Sequence, residues 1–284
     1  MFKTLLFTIV FVFSHHAFSQ NTNHANSLET NQPLSLGTVM KKDFGHTWKG
    51  ITHFYTSPLR WQKKDYIQLG IVASSFAALT FIDEEAQPFF RRQRNEAPKQ
   101  LRDFGFWFGG PSNAVIFSGG LYTYGLLAKK SKIQKTGILL MSSIAAAGFL
   151  QSVVKTAVGR GRPSAGEGNF SFSPFSPEVV YHSFPSGHSV VSLVFTHSIA
   201  RQIDNPWAKV GLYAVGSIAP VSRLWSNSHW ISDIALGSFL GILTVNHIDR
   251  YLTKIYEGET EKKLTNKWEF NAGLANLQLS YTFN

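Results

Sequence analysis

The sequence predicts an all-α protein: a six-helix bundle with an active site at one end, followed by a short C-terminal β-strand or hairpin. Three observations predict it. Six apolar segments, near 66–82, 113–128, 136–154, 187–203, 207–222 and 230–252, are each long enough for a helix, and Gly, Pro or charged clusters separate them. The last residues, ANLQLSYTFN, alternate with period two, Leu277, Leu279, Tyr281 and Phe283 on one side against Gln278, Ser280 and Thr282 on the other. The polar residues with chemical potential gather where apolar segments begin or end.

Taken in order, the chain opens with Lys3, the apolar run LLFTIVFVF and a small-x-small pair at Ala17 and Ser19. That is the pattern of a secretory signal peptide over 1–19, since the run is short for a membrane span of about 20 residues. Residues 20–60 are rich in Asn, Thr and Ser and read as a polar, partly ordered lead-in; the helical domain is expected over 61–256. Within it, FFRRQRN at 89–95 reads as a solvated basic loop. The longest gap, 159–184, is rich in Gly, Ser and Pro, and a loop of that length in a compact domain is usually functional. The tail, 257–284, has strand character, with KWEFNAG available as a hairpin partner for the final strand.

Composition narrows the function. Of 284 residues 44% are hydrophobic and only 15% charged, which leaves a membrane setting open. The net charge of +10 suits anionic partners such as phosphorylated substrates or acidic lipid. No basic, aromatic-interleaved stretch points to nucleic acid. The absence of cysteine excludes disulfides, zinc–thiolate sites and cysteine nucleophiles.

Three clusters carry the chemistry. KTAVGRGRP holds Lys155, Arg160 and Arg162; SFPSGHS holds Ser186, Gly187 and His188; SRLWSNSHWISD holds Ser222, Arg223, His229 and Asp233. A bundle can bring all three to one end. Lys155, Arg162 and Arg223 supply positive charge, and guanidinium groups match phosphate oxygens two at a time. Ser186 and Gly187 open a helix whose first N–H groups have no internal partners and whose dipole favours an anion, and Gly187 lets that anion approach the backbone. His229 and Asp233, four apart, share a helix face. A carboxylate on one imidazole nitrogen fixes the tautomer and leaves the other as nucleophile. His188, beside the anion seat, is placed to protonate a departing oxygen. Such a site transfers phosphoryl groups with no metal and no cofactor.

Each residue also has a plainer explanation. Lys155 can complement a helix dipole, Ser186 can be only a cap, and Arg223 can flank a membrane helix. His229 and Asp233 can be a structural pair, or metal ligands with His188 as the third, although three neighbouring cations would repel the metal.

The spacing narrows this further. Lys155, six residues, then Arg162-Pro163; Pro185-Ser186-Gly187-His188; Ser222-Arg223, five residues, His229, three residues, Asp233: this series resembles the three-part signature of the type 2 phosphatidic acid phosphatase (PAP2) superfamily. That superfamily includes lipid phosphate phosphatases, bacterial acid phosphatases and vanadium haloperoxidases. The resemblance implies a PAP2-type bundle over about 61–255. It implies that His229 attacks phosphorus to form a phosphohistidine, that Asp233 orients it and that His188 protonates the leaving group. Lys155, Arg162, Ser186, Gly187 and Arg223 are then expected to hold the phosphate oxygens. Arg160 lies outside the signature and is expected to tolerate alanine. The implied activity is a metal-independent phosphatase for a phosphate monoester or pyrophosphate, lipid-linked. The alternatives are a vanadate-dependent haloperoxidase and a non-catalytic membrane helical protein with an anion site.

Location follows less directly. The segment layout matches the integral lipid phosphatases, whose site faces away from the cytoplasm, so a membrane-associated envelope protein with a periplasmic site is expected. The uncharged cores at 210–222 and 234–247 are short for spans. With a cleaved signal and every segment spanning, Lys155 would fall on the cytoplasmic side. The signal is retained, or some segments do not span, or the bundle is peripheral; both sets of loops are basic and do not choose among these. Oligomeric state is not read from the sequence.

Overall fold

A computed structural model describes residues 34–264, 267–273 and 276–282. Among these residues there are nine α-helices rather than a bundle of six. They are α1 (Leu36–Tyr55), α2 (Lys63–Thr80), α3 (Asp83–Glu96), α4 (Lys99–Phe108), α5 (Pro111–Leu127), α6 (Ser131–Val158), α7 (Gly187–Ala200), α8 (Pro206–Trp225) and α9 (Ile231–Leu264). The six expected segments coincide with α2 and α5 to α9. Two strands close the chain. β1 (Lys267–Gly273) pairs antiparallel with β2 (Asn276–Thr282), Trp268 opposite Tyr281. The expected signal peptide and Phe283 lie outside the described residues.

The termini of the helices show why they form where they do. Pro111 and Pro206 stand at first helical positions, where a missing N–H costs nothing. Asn205 caps α8 by accepting from Trp207 N at 2.9 Å and Ala208 N at 3.2 Å. At its other end α6 stops at Gly159, whose φ of 58° is the left-handed cap that glycine adopts without strain. The chain then enters the long loop, which holds only two 3₁₀ turns and a single bridge, Arg160 to Phe172.

Two expectations are corrected here. The stretch 89–95 is helical, part of α3, not a loop. Asp83, Glu84 and Glu85 sit in the first turn and Arg94 in the last, so the charges complement the helix dipole from both ends. The lead-in contains α1, which is part of the body. Phe54 of α1 joins Ile138, Leu139, Leu140, Ala146 and Ala147 of α6, Val190 and Val194 of α7, and Val245, Ile248 and Leu252 of α9 in one core. By contrast α2 buries no residue.

Beside this apolar core the interior holds many small hydroxyl side chains, while large apolar ones also lie on the outside. Ser142, Ser143, Ser189, Ser192, Thr196, Ser198 and Thr244 are buried; the hydroxyls of Ser142, Ser192 and Thr244 bond backbone carbonyls, Ser142 to Ile138 O at 2.7 Å, while those of Ser143, Thr196 and Ser198 have no hydrogen-bond partner among the described residues. Large apolar side chains such as Ile71, Ile116, Phe149 and Trp207 are exposed. Small residues inside and large apolar ones outside is how helices associate in an apolar solvent. By length and composition α6 and the Ile231–Glu259 part of α9 could each cross a membrane; α2 and α3, bent by 64° at their junction, would together make a third span.

Candidate active site

Three helix ends meet at one end of the body: the C-terminus of α6, the N-terminus of α7, and the α8–α9 junction. Gly159 turns the chain out of α6 so that Arg160 and Arg162 face different partners. The N-terminus of α7 is tied down from two sides. Ser186 N donates to the Asp233 carbonyl at 3.0 Å, and Gln151 Nε2 of α6 donates to Pro185 O at 3.1 Å. Close contact with α9 depends on Gly237, where a Cβ would lie 2.5 Å from the Ser186 carbonyl oxygen.

His229 is 5% exposed, and its Nδ1 lies 2.7 Å from the Ser183 carbonyl oxygen. A carbonyl only accepts, so the proton sits on Nδ1 and the lone pair on Nε2. Asp233 Oδ2 is 3.8 Å from the same Nδ1, an ion-pair distance beyond a hydrogen bond. The expected direct Asp233–His229 bond is therefore not formed; the Ser183 carbonyl takes its place. Asp233 is wholly buried and fully engaged elsewhere. Its Oδ2 accepts from Ser183 Oγ at 2.5 Å and Trp230 N at 2.8 Å, and its Oδ1 from Arg160 Nη1 at 2.7 Å. Burial holds the His229 pKa below its ordinary value, with Lys155 and Arg162 adding to that and Asp233 opposing it.

His188 stands at the second position of α7, beside the Phe106 ring at 5.3 Å between centroids. Its Nε2 is buried with no hydrogen-bond partner among the described residues. Burial, with Arg223, His229 and Lys155, pushes its pKa down to about 3. Arg223 is 8% exposed, lies over the Phe106 ring at 4.9 Å and donates through Nε to Ser222 Oγ at 3.2 Å. Burial, then Arg162, lowers its pKa to about 10, so it stays cationic at neutral pH. Arg162 spends Nε on Val179 O at 3.0 Å and Nη2 on His182 O at 3.4 Å. None of Lys155, Arg162 and Arg223 has a carboxylate within ion-pair distance among the described residues. Three uncompensated cations beside an open helix N-terminus call for an anion.

The expected site residues are thus gathered at one place, with one change of emphasis. The Ser186 hydroxyl caps its own helix, 3.4 Å from Ser189 N, and shares a 3.0 Å bond with Ser189 Oγ. The backbone N–H groups that follow it are what remains for an anion. Sequence reading missed Gln151, Ser183, Ser232, Phe106 and Asp83. Only Asp83 left a trace, as the head of an acidic first turn.

The sequence profile of the PAP2 superfamily matches residues 136–256. A lipid A 1-phosphatase of Rhizobium etli is 30% identical over 204 residues, covering 66% of this chain and 84% of that protein. A lipid A 1-phosphatase of Rhizobium johnstonii is 28% identical over 204 residues, 66% of this chain and 80% of its own. The crystal structure of Aquifex aeolicus LpxE superimposes on 58% of this chain and 94% of its own, at 19% identity and a TM-score of 0.41. On its profile match and its similarity to curated phosphatases, the chain belongs to the PAP2 superfamily of phosphatases.

Proposed function

We propose that the protein hydrolyses a lipid-linked phosphate ester or pyrophosphate, without a metal, through a phosphohistidine on His229. The observation that carries this reading is the unpaired cationic trio around the α7 N-terminus, faced by a histidine whose tautomer presents Nε2 as a nucleophile. Lys155, Arg162, Arg223 and the first backbone N–H groups of α7 bind the phosphate oxygens. His229 Nε2 attacks phosphorus as the bond to the leaving oxygen breaks, and His188 gives that oxygen its proton. Water then attacks the phosphohistidine, His188 takes a proton from it, and inorganic phosphate departs. The site is already cationic, so a divalent ion there would meet repulsion.

The lipid assignment rests on the relatives, which are lipid A 1-phosphatases, and on the apolar exterior. On this reading the protein belongs to the cell envelope, membrane-associated, with the site on the periplasmic side. A helical domain over 61–256 behind a signal peptide at 1–19 completes the arrangement, with α1 docked onto it. Phosphate release from lipid A, phosphatidic acid, polyprenyl pyrophosphate and a soluble ester tests this reading. Release from a lipid substrate that persists in chelator and is inhibited competitively by vanadate is expected. Loss in chelator, restored by zinc or magnesium, rejects the metal-free site.

The low His188 pKa gives a second expectation. In the empty site the imidazole is neutral at pH 7, because its pKa of about 3 lies well below that. A bound phosphate reverses the local field and raises the pKa, so His188 becomes an acid only with substrate in place. Binding of inorganic phosphate at pH 7 should take up a proton, read by calorimetry in buffers of different ionisation enthalpy. His188→Asn should abolish that uptake; unchanged uptake removes His188 from the acid role.

A further inference from the structure

Behind the nucleophile lies a buried charge network that the signature does not contain. Arg160 is 2% exposed and Asp83 1%. The guanidinium is shared between two carboxylates, Nη2 on Asp83 Oδ2 and Nη1 on Asp233 Oδ1, both at 2.7 Å. Nη1 also meets Ser232 Oγ at 2.7 Å, and Nε meets Asn169 O at 2.9 Å. Asp83 accepts in addition from Ser232 N at 3.0 Å and Ser232 Oγ at 2.5 Å. The chain of contacts reaches the nucleophile by one residue. Ser183 places its hydroxyl on Asp233 and its carbonyl on His229, and Ser183 N is held by Arg160 O at 3.0 Å.

We infer that Asp83 and Arg160 are positioning residues for the reaction: Asp83 shares the guanidinium of Arg160 so that Asp233 stays fixed yet keeps negative charge toward His229. The inference rests on His229 being the nucleophile. The charge count gives the reason. If Arg160 paired with Asp233 alone, the two would cancel. With Asp83 included, two carboxylates face one guanidinium and the network carries one negative charge. Phosphorylation of Nε2 makes the His229 ring cationic while Nδ1 keeps its proton, and Asp233, 3.8 Å away, then offsets that charge. The other charges facing His229 are Lys155 of α6, Arg162 of the long loop and His188 of α7, with Arg223 of α8 beyond His188. Lys155, Arg162 and Arg223 bear positive charge, so among the charged groups facing it Asp233 alone favours the cationic ring, beside the neutral Ser183 carbonyl. Sequence reading expected Arg160→Ala to be mild. The geometry reverses that, because the truncation would strand two buried carboxylates.

The test uses opposite signs. Asp83→Asn leaves a neutral Arg160–Asp233 pair, which a buried site tolerates. The imidazolium becomes less favoured, so the acid limb of kcat/KM should move to lower pH. kcat should fall about 10–100-fold, as it does when outer partners that orient a histidine are lost, with KM within about twofold. In Asp83→Asn/Arg160→Gln, Asp233 keeps its whole charge, and the acid limb should move to higher pH than in the single variant. A purely structural role would lower the folded fraction in both and move neither limb. The rates are taken per site that retains phosphate on alkaline quench, which preserves the N–P bond, alongside a thermal melt. Wild-type kcat in a folded Asp83→Asn, or limbs that move together, overturns the inference. Should Asp83→Asn not fold, Arg160→Lys replaces it: the charge remains but only one carboxylate is held, so kcat should fall, and wild-type kcat overturns the inference. Absence of phosphate on His229 in the wild type overturns the proposed mechanism instead, whatever the variants do.

Discussion

His229→Ala should lose essentially all turnover, at least about 10⁴-fold, because no other group at the site can take its place as nucleophile. The remaining cations and N–H groups would still bind phosphate, so affinity for inorganic phosphate should survive. The fold should survive as well. The substitution leaves the Ser183 carbonyl without its donor, a cost of about 1–3 kcal/mol if no water replaces it, while Asp233 keeps its bonds to Arg160, Ser183 and Trp230. Two measurements check this: steady-state phosphate release, and acid-labile phosphate on the quenched protein. Wild type should carry the label on His229 and the variant none. A labelled or active variant would move the nucleophile elsewhere.

Arg223→Ala should cost about 10²–10³ in rate, the loss of about 3–4 kcal/mol of stabilisation at a developing oxyanion. Arg223 differs from Arg162 in what its fork already does. Arg162 spends two donors on loop carbonyls, whereas the Arg223 guanidinium has Ser222 Oγ as its one hydrogen-bond partner among the described residues and rests on Phe106. More of Arg223 is therefore free for phosphate, and it should be the more damaging of the two to truncate. Arg223→Lys keeps the charge but offers one point contact instead of a planar fork, so its loss should be smaller than that of alanine without being absent. The defect should fall on kcat more than KM, since charge accumulates on those oxygens in the transition state. Kinetics of Arg223→Ala, Arg223→Lys and Arg162→Lys give the answer; an Arg223→Ala enzyme within tenfold of wild type would place the clamp elsewhere.

What could be read from the sequence was local. Lys155 to Arg162, Pro185 to His188 and Arg223 to Asp233 are short spacings at helix ends, and the chemistry follows from residue types in order. The periodic apolar segments likewise announced α5 to α9. What escaped was long-range. Asp83 meets Ser232 across 149 positions, and no window of sequence shows that the two are neighbours. The same holds for α1, whose polar composition concealed Phe54 and a place in the core. The direct partner of His229 is a backbone carbonyl, which every residue possesses and no side-chain pattern reveals. The basic run 89–95 was misread because charge density suggested solvent, while the acidic turn ahead of it makes the segment a helix.

The hydroxyl-rich interior has a consequence for how this chain tolerates change. Helices α7 and α8 meet where Ser192 Oγ donates to Gly216 O at 2.5 Å, and a Cβ on Gly216 would overlap Thr196. At such crossings the selected property is volume: the backbones touch, and a larger side chain of any polarity drives them apart. Outside, where Ile116 and Phe149 stand exposed, added bulk meets no neighbouring helix. A substitution scale calibrated on water-soluble proteins would therefore misjudge both surfaces. It would pass Ser192→Val as an improvement in hydrophobicity and flag Ile116→Phe as a risk, when the crowded crossing is the place that admits no added methyl group.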